Sequence, residues 1–156
     1  MQHSKGNQNE RTDRLKPIFE FEIPGKPCGK GRPRFTRNGH TFTPEQTVNY
    51  ENLVKLTFRG AYPEAEPIAA NTPIRAELRL YFPIPQSISK KKREFMSKRQ
   101  AWYTKKCDID NATKIIFDAL NLLAYRDDAQ ICELYAVKLY SDTPRVEVKF
   151  WEAKVE

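Results

Sequence analysis

The sequence predicts an α+β fold: a mixed, mostly antiparallel sheet with helices packed on it, in a single domain. Three observations predict it. Segments with two-residue hydrophobic alternation open, interrupt and close the chain. Between them lie segments with helix start signals and buried stripes at helical spacing. The length, 156 residues, suffices for one substantial core but not comfortably for two.

Residues 1–16 are polar throughout and are expected to form a disordered tail, leaving 17–156 as the folded domain. With no apolar h-region, this N-terminus is not expected to act as a secretory signal. In "PIFEFEIPG", Phe19, Phe21 and Ile23 alternate with Glu20 and Glu22, the period of a half-buried strand. Asn38-Gly39 between "RFTR" and "HTFT" predicts a two-residue hairpin, because both residues tolerate positive φ. Thr43-Pro44-Glu45-Gln46 reads as a helix start: Thr43 caps, Pro44 takes the first helical position, and Gln46 closes a capping box. Thr47 or Tyr50, then Val54 and Phe58, supply the buried stripe, and Gly60 and Pro63 end it.

"IRAELRLYFPIP" alternates again and stops at Pro83 and Pro85. "SISKKKREFMSKRQAWY" predicts a short basic helix capped by Ser87 or Ser89, with Phe95, Met96, Arg99 and Trp102 on one side. "NATKIIFDALNLLA" follows as a helix whose Ile115 or Ile116, Ala119, and Leu122 or Leu123 face inward. "QICELYAVKLYS" and "RVEVKFWEA" are two strands joined by "SDTP". The order is β, β-hairpin, α, β, α, α, β, β.

Hydrophobic residues make up 39% and charged residues 30%, a soluble globular profile. No apolar run approaches the ~20 residues that cross a bilayer, so no membrane partner is expected. The formal net charge of +7 favours polyanions, with nucleic acid preferred over an anionic membrane because no basic amphipathic anchor is present. Cys28, Cys107 and Cys132 form neither a CxxC pair nor a disulfide framework, which fits reduced thiols in the cytoplasm. With His3 and His40 the only histidines, an imidazole–thiolate zinc site is not expected. Cys107 reads as a small packing residue.

Against this basic background, "KKCDIDNATKIIFDALNLLAYRDDAQ" gathers Asp108, Asp110, Asp118, Asp127 and Asp128. In an extended "CDID", Asp108 and Asp110 share a face while Ile109 turns inward. Asp110 is also placed to cap the following helix. Two carboxylates ~4 Å apart repel by about 4 kcal/mol at an effective dielectric of ~20. Protonation, an ion pair or a bound cation relieves that repulsion, and Mg²⁺ or Mn²⁺ prefers hard oxygen ligands. Asp127 and Asp128 follow the helix, which returns the chain, so one of them can complete a site. A cap with a solvated acidic face accounts for the same pair without a metal. Asp118, one turn after Lys114, is expected to form a structural ion pair with it.

Basic runs precede the acids, including Lys105 and Lys106, and this combination suits metal-assisted phosphodiester cleavage: cations hold the backbone while acids hold the ion. Lys114 beside the cluster is placed to stabilise charge on phosphoryl oxygens. "GKGRPRFTRNGH" adds Lys30, Arg32, Arg34 and Arg37 as phosphate-binding candidates. Phe35, among them, is expected to pack inward, the alternative being a stacking or wedging role against DNA.

The stretch "DIDNATKIIFDALNLLAYRDDAQICELYAVK" closely resembles the signature region of the RusA family of Holliday junction resolvases: D-x-D-N, a lysine one turn on, "FDAL", then "DDAQ" entering a strand. "KGRPR" and the closing "PRVEV" extend the likeness over most of the chain beyond the tail. The resemblance implies a Mg²⁺-dependent endonuclease, with Mn²⁺ as a substitute, that cuts four-way DNA junctions as a homodimer. It implies Asp108, Asp110 and Asp128 as metal ligands and Lys114 as the essential lysine, with Asp127 the weaker candidate. It also implies 5′-phosphate and 3′-hydroxyl products. A two-fold related substrate cut in pairs independently suits a C₂ dimer. The basic insertion at 87–104 departs from the shorter family members and bears on substrate choice more than chemistry. The same chemistry on flaps or forks, and a non-catalytic DNA-binding module, are the other readings.

Overall fold

The computed structural model describes residues 16–99 and 101–155. Apart from Lys16, the expected polar tail lies outside the described residues. Strand β1 (Phe19–Pro24) leads to a hairpin of β2 (Arg34–Phe35) and β3 (Thr41–Phe42), then helix α1 (Glu45–Ala61) and strand β4 (Ile74–Pro83). Helix α2 (Lys90–Arg99), helix α3 (Ile109–Leu120), a 3₁₀ turn (Asp128–Gln130), β5 (Ile131–Ser141) and β6 (Arg145–Glu152) complete it. The strands form a four-stranded sheet in the order β1-β6-β4-β5, separate from the two-stranded β2-β3 ribbon. β6 is antiparallel to β1 and β4, whereas β4 and β5 are parallel. The expected α+β fold with a mixed, mostly antiparallel sheet is the one observed.

Within the four-stranded sheet, β5 and β6 join through a tight turn, and that turn makes no hairpin. β5 ends opposite Pro83, and residues 142–144 step over the end of β4 to start β6 on its far side. Proline at that end cannot extend the ladder, which leaves the path open. The helices between β4 and β5 supply the crossover that a parallel pair requires.

One sheet face packs the core. Phe21 and Ile23 from β1, Ile74, Ala76, Leu78, Leu80 and Phe82 from β4, and Val146, Val148 and Phe150 from β6 meet α1 and α3. α1 contributes Thr47, Tyr50, Val54 and Phe58, the expected stripe, and α3 contributes Ala112, Ile115, Ile116, Ala119 and Leu120. Each fully buried aliphatic or aromatic side chain of this kind contributes about 1.5–3 kcal/mol. The opposite face is a lattice of charges over aromatics: Arg145 lies 4.0 Å from the Tyr81 ring centroid, and Arg79 Nε donates to Glu77 at 2.8 Å.

Several local expectations are corrected. Positive φ occurs at Gly39 but not at Asn38, and Thr36 N–H donates to His40 O while Gly39 N–H donates to Thr36 O. A three-residue loop that requires one left-handed position has replaced the two-residue turn that requires two. α1 starts one residue later than expected: Pro44, at φ −54° and ψ 140°, is the N-cap and no side chain caps the helix, so Thr43 and Gln46 do not play the roles assigned to them. α3 ends at Leu120; Leu120 is buried in place of Leu122, which takes φ 68° and is 67% exposed. In α2, Ser89 does cap, its Oγ accepting from Lys92 N–H at 3.2 Å, but the helix ends at Arg99, so Trp102 lies beyond it and shares no helix face with Phe95; both are exposed. Residues 101–103 instead cover the far half of the β5 edge, with Tyr103 N–H donating to Lys138 O at 2.9 Å and Tyr140 N–H to Ala101 O at 3.0 Å. No described helix is long and apolar enough to cross a membrane.

Candidate active site

Helix α3 begins at Ile109, and this overturns the extended "CDID" geometry. Asp108 is the N-cap, at φ −64° and ψ 137°, and its side chain makes no capping hydrogen bond. Asp110 sits in the first turn rather than at the cap, and Ile109 is 39% exposed rather than turned into the core. A helix changes which acids are neighbours. Asp110, Lys114 and Asp118 recur every four residues and therefore share one stripe. The opposite stripe is apolar and buried, so packing on the sheet orients these three outward.

That stripe forms one wall of a cleft of about 660 Å³. Ile109, Asp110, Thr113, Lys114, Phe117 and Asp118 line it from α3, and Asp128 with the first residues of β5 lines the other side. The structure thus brings Asp110, Lys114 and Asp128 together with Asp118, while Asp108 lies outside the lining. Asp118 does not pair with Lys114: it accepts a hydrogen bond from Lys30 Nζ, which also lies 3.8 Å from Glu51. Lys30, expected as a phosphate-binding candidate, here pairs with an acid of the cleft. Lys114 is exposed and, among the described residues, has no ion pair.

Asp128 is held by a loop in which nearly every polar group is used. Asp127 caps the 3₁₀ turn, its Oδ1 accepting from Ala129 N–H at 2.9 Å, so it is a structural acid. Gln130 Oε1 accepts from the backbone of Arg126 and Asp127, and its Nε2 donates to the carbonyls of Ala69 and Thr72. Asn121 Oδ1 accepts from Asp128 N–H at 3.1 Å. Partial desolvation first, then Asp127 and Asp118, push the Asp128 carboxyl above the usual carboxylate range, against a lowering contact from the Ala129 backbone. Beneath it, buried Tyr125 donates to Phe117 O at 2.6 Å. Burial first, then the charges of Asp128 and Asp118, push its phenol up. Asp118 and Asp128 therefore feel each other across the cleft floor.

Asn121 and Gln130 are supporting residues with no expected role, and Asp118, expected as a partner of Lys114, lines the cleft instead. Asp127-Asp128-Ala129-Gln130 carries a legible signal, an acid followed three residues later by Gln, which is a capping box. Asp118 was hidden because its partner, Lys30, is 88 residues away.

Among the described residues, no three acidic, histidine or cysteine side chains are gathered closely enough to enclose an ion. Mg²⁺ does not require such a cage; it takes one or two carboxylates and keeps several waters. Asp110 and Asp128, hard oxygen donors on an open cleft, fit that demand, and the mutual repulsion around Asp128 is the kind that a cation relieves.

The basic residues divide into two groups. Arg32, Arg34 and Arg37 are exposed on the β2-β3 ribbon. Lys105 and Lys106 are exposed just before Asp108, the carbonyl of Lys105 accepting from Lys138 Nζ at 3.0 Å. Between the two groups, half-buried Cys107 packs against the core as expected, and its φ of 115° is a strained value for a residue with a side chain. Cys107 Sγ stands 3.2 Å from where a side chain at Gly29 would begin, so a larger residue there fits only if the Cys107 side chain gives by a few tenths of an ångström.

A basic α+β domain whose cleft combines oxygen donors with an exposed lysine has the equipment of a phosphodiester-processing protein. The family model described as Endodeoxyribonuclease RusA matches residues 24–150, and the chain belongs to the RusA endodeoxyribonuclease family. It is also similar to a Bacillus subtilis (strain 168) protein named uncharacterized protein YqaN, with 38% identity over 139 residues that cover 86% of this chain and 96% of that one.

Proposed function

We propose that this protein is a Mg²⁺-dependent, structure-selective endodeoxyribonuclease that cuts four-way DNA junctions as a homodimer. The observation that carries the reading is the cleft that Asp110, Lys114 and Asp128 line on a chain of net charge +7. Asp110 and Asp128 hold the cation, with Asp118 beside them. When bound, the ion supplies Lewis acidity toward a phosphate and a water of lowered pKa. Lys114 donates to the phosphoryl oxygens as charge builds on them, from a position one helical turn beyond Asp110. Asp108, at the helix N-terminus, adds negative field near the ion without lining the cleft. Lys105, Lys106 and the ribbon arginines hold the DNA backbone. Two copies related by a two-fold axis present two such clefts to a two-fold related substrate.

The test is cleavage of a mobile four-way junction, a splayed duplex and a linear duplex, with and without Mg²⁺, beside Asp110→Asn. Cleavage is expected on the junction, only with metal, and Asp110→Asn is expected to lose it by about 100-fold or more while binding the junction at least as tightly, since one charge near phosphate is gone. Wild-type cleavage rates in that variant would sink the assignment. Preference for the splayed duplex would redirect it to forks, and indifference of every observable to Mg²⁺ or Mn²⁺ would favour a non-catalytic DNA-binding module.

A further inference from the structure

The β2-β3 ribbon contradicts the expectation that Phe35 packs inward. Phe35 is 76% exposed, and every residue from 32 to 43 is exposed. Arg34 stands opposite Phe42, and Phe35 opposite Thr41, so one aromatic projects from each face of the ribbon. Among the described residues, neither face is buried under the sheet or a helix. A lone two-stranded hairpin is marginal in water, so two large apolar side chains on it are not there to build a core. Residues 26–44 contain no Asp or Glu but hold Arg32, Arg34 and Arg37, and among the described residues none of these three forms an ion pair. The apolar surface is thus set in uncompensated positive charge, which repels basic partners and suits a polyanion that carries flat apolar faces.

The base of the ribbon is fixed to the candidate active site. Lys30 N–H donates to Asn111 O at 3.2 Å, in the first turn of α3, and Gly31 N–H donates to Thr47 Oγ1 at 2.9 Å. A side chain at Gly31 would begin 2.9 Å from both Pro44 and Thr47, so the close approach is built in. Four residues of fully extended chain span about 13 Å, so Phe35 stands no farther than that from the anchor, within the width of a duplex.

We propose that the ribbon is a base-stacking probe: Phe35, with Phe42 on the other face, takes up unstacked bases at a DNA branch point while Arg32, Arg34 and Arg37 hold the flanking phosphates. A branch point exposes base faces, and a linear duplex does not. Stacking on an aromatic ring is indifferent to sequence, so the device senses structure and not bases. This rests on the DNA-cleaving role proposed above and names what selects the substrate.

The experiment uses the full chain in EDTA, so that binding is read without cleavage. A four-way junction carrying 2-aminopurine at the branch point is compared with a linear duplex carrying it internally, for wild type, Phe35→Ala, Phe35→Leu and Phe35→Trp. Wild type is expected to raise 2-aminopurine fluorescence on the junction only. Phe35→Ala and Phe35→Leu are expected to lose that rise and to bind the junction about 5- to 100-fold more weakly. Their duplex affinity is expected to stay within about twofold, because phosphate contacts remain. Phe35→Trp is expected to keep the rise, and its own emission to be quenched by the junction. The proposal is overturned if Phe35→Ala opens and binds the junction as wild type does. It is equally overturned if Leu substitutes fully for Phe, or if sedimentation shows that Phe35→Ala changes the oligomeric state, which would make Phe35 a protein contact. A wild type that stacks on the branch point but cleaves nothing with Mg²⁺ would sink the nuclease reading and leave this one standing.

Discussion

Gln130→Ala tests whether the position of Asp128 depends on a single amide. That side chain makes four hydrogen bonds: Oε1 accepts from Arg126 and Asp127 N–H at 3.0 Å each, and Nε2 donates to Ala69 O at 2.9 Å and Thr72 O at 3.1 Å. Each is worth about 0.5–1.5 kcal/mol net, and the exposed ones lie at the low end because water replaces them. The sum is about 2 kcal/mol, or roughly 4–8 °C in Tm for a domain of this size. The loss is local first: with both backbone N–H groups and two carbonyls released, the turn that carries Asp128 is freed from residues 69–72. Displacing a reacting group by ~1 Å costs up to ~100-fold, so Mg²⁺-dependent cleavage is expected to fall about 10- to 100-fold. The assays are thermal melting, amide hydrogen exchange over residues 126–129, and junction cleavage. A variant that melts with wild type, exchanges no faster in that turn and cleaves at the wild-type rate would refute the reasoning.

Two further outcomes test the frame of the site. Tyr125→Phe leaves the buried Phe117 carbonyl without the 2.6 Å hydrogen bond it now accepts, and should cost about 1–3 kcal/mol in urea melts; equal midpoints would show that the carbonyl finds another donor. Gly31→Ala forces a methyl to within 2.9 Å of Pro44 and Thr47, and should cost about 1–3 kcal/mol while weakening junction binding by shifting the ribbon; unchanged stability would mean that the ribbon base is looser than its contacts indicate.

Much of this architecture was legible because it rests on local pattern. Alternation in β1 and β4 reports burial on one sheet face, and the Val54–Phe58 stripe of α1 reports packing on that same face. "SDTP" was legible as a turn but not as a step across β4, because strand order depends on partners far apart in the chain. The acids were legible as a group, and a helix returning the chain was enough to bring Asp128 back toward Asp110. "CDID" is a helix start and not an extended segment, however, and a strand and a helix turn different residues to the same side: a two-residue period pairs Asp108 with Asp110, whereas a 3.6-residue period pairs Asp110 with Lys114 and Asp118.

What the amino-acid order determined by itself is the inventory: a basic chain, an acid-rich segment, alternating strands and a capping box ending in Gln130. What only the tertiary structure decided is who meets whom. Lys30 reaches Asp118 across 88 residues, so that among the described residues Lys114 has no ion pair, and Phe35 is left exposed on its ribbon. Hydrophobic patterning is read along the chain, one period at a time. Charge pairing and exposure are set by distances through space, and these exist only once the sheet has brought its strands together.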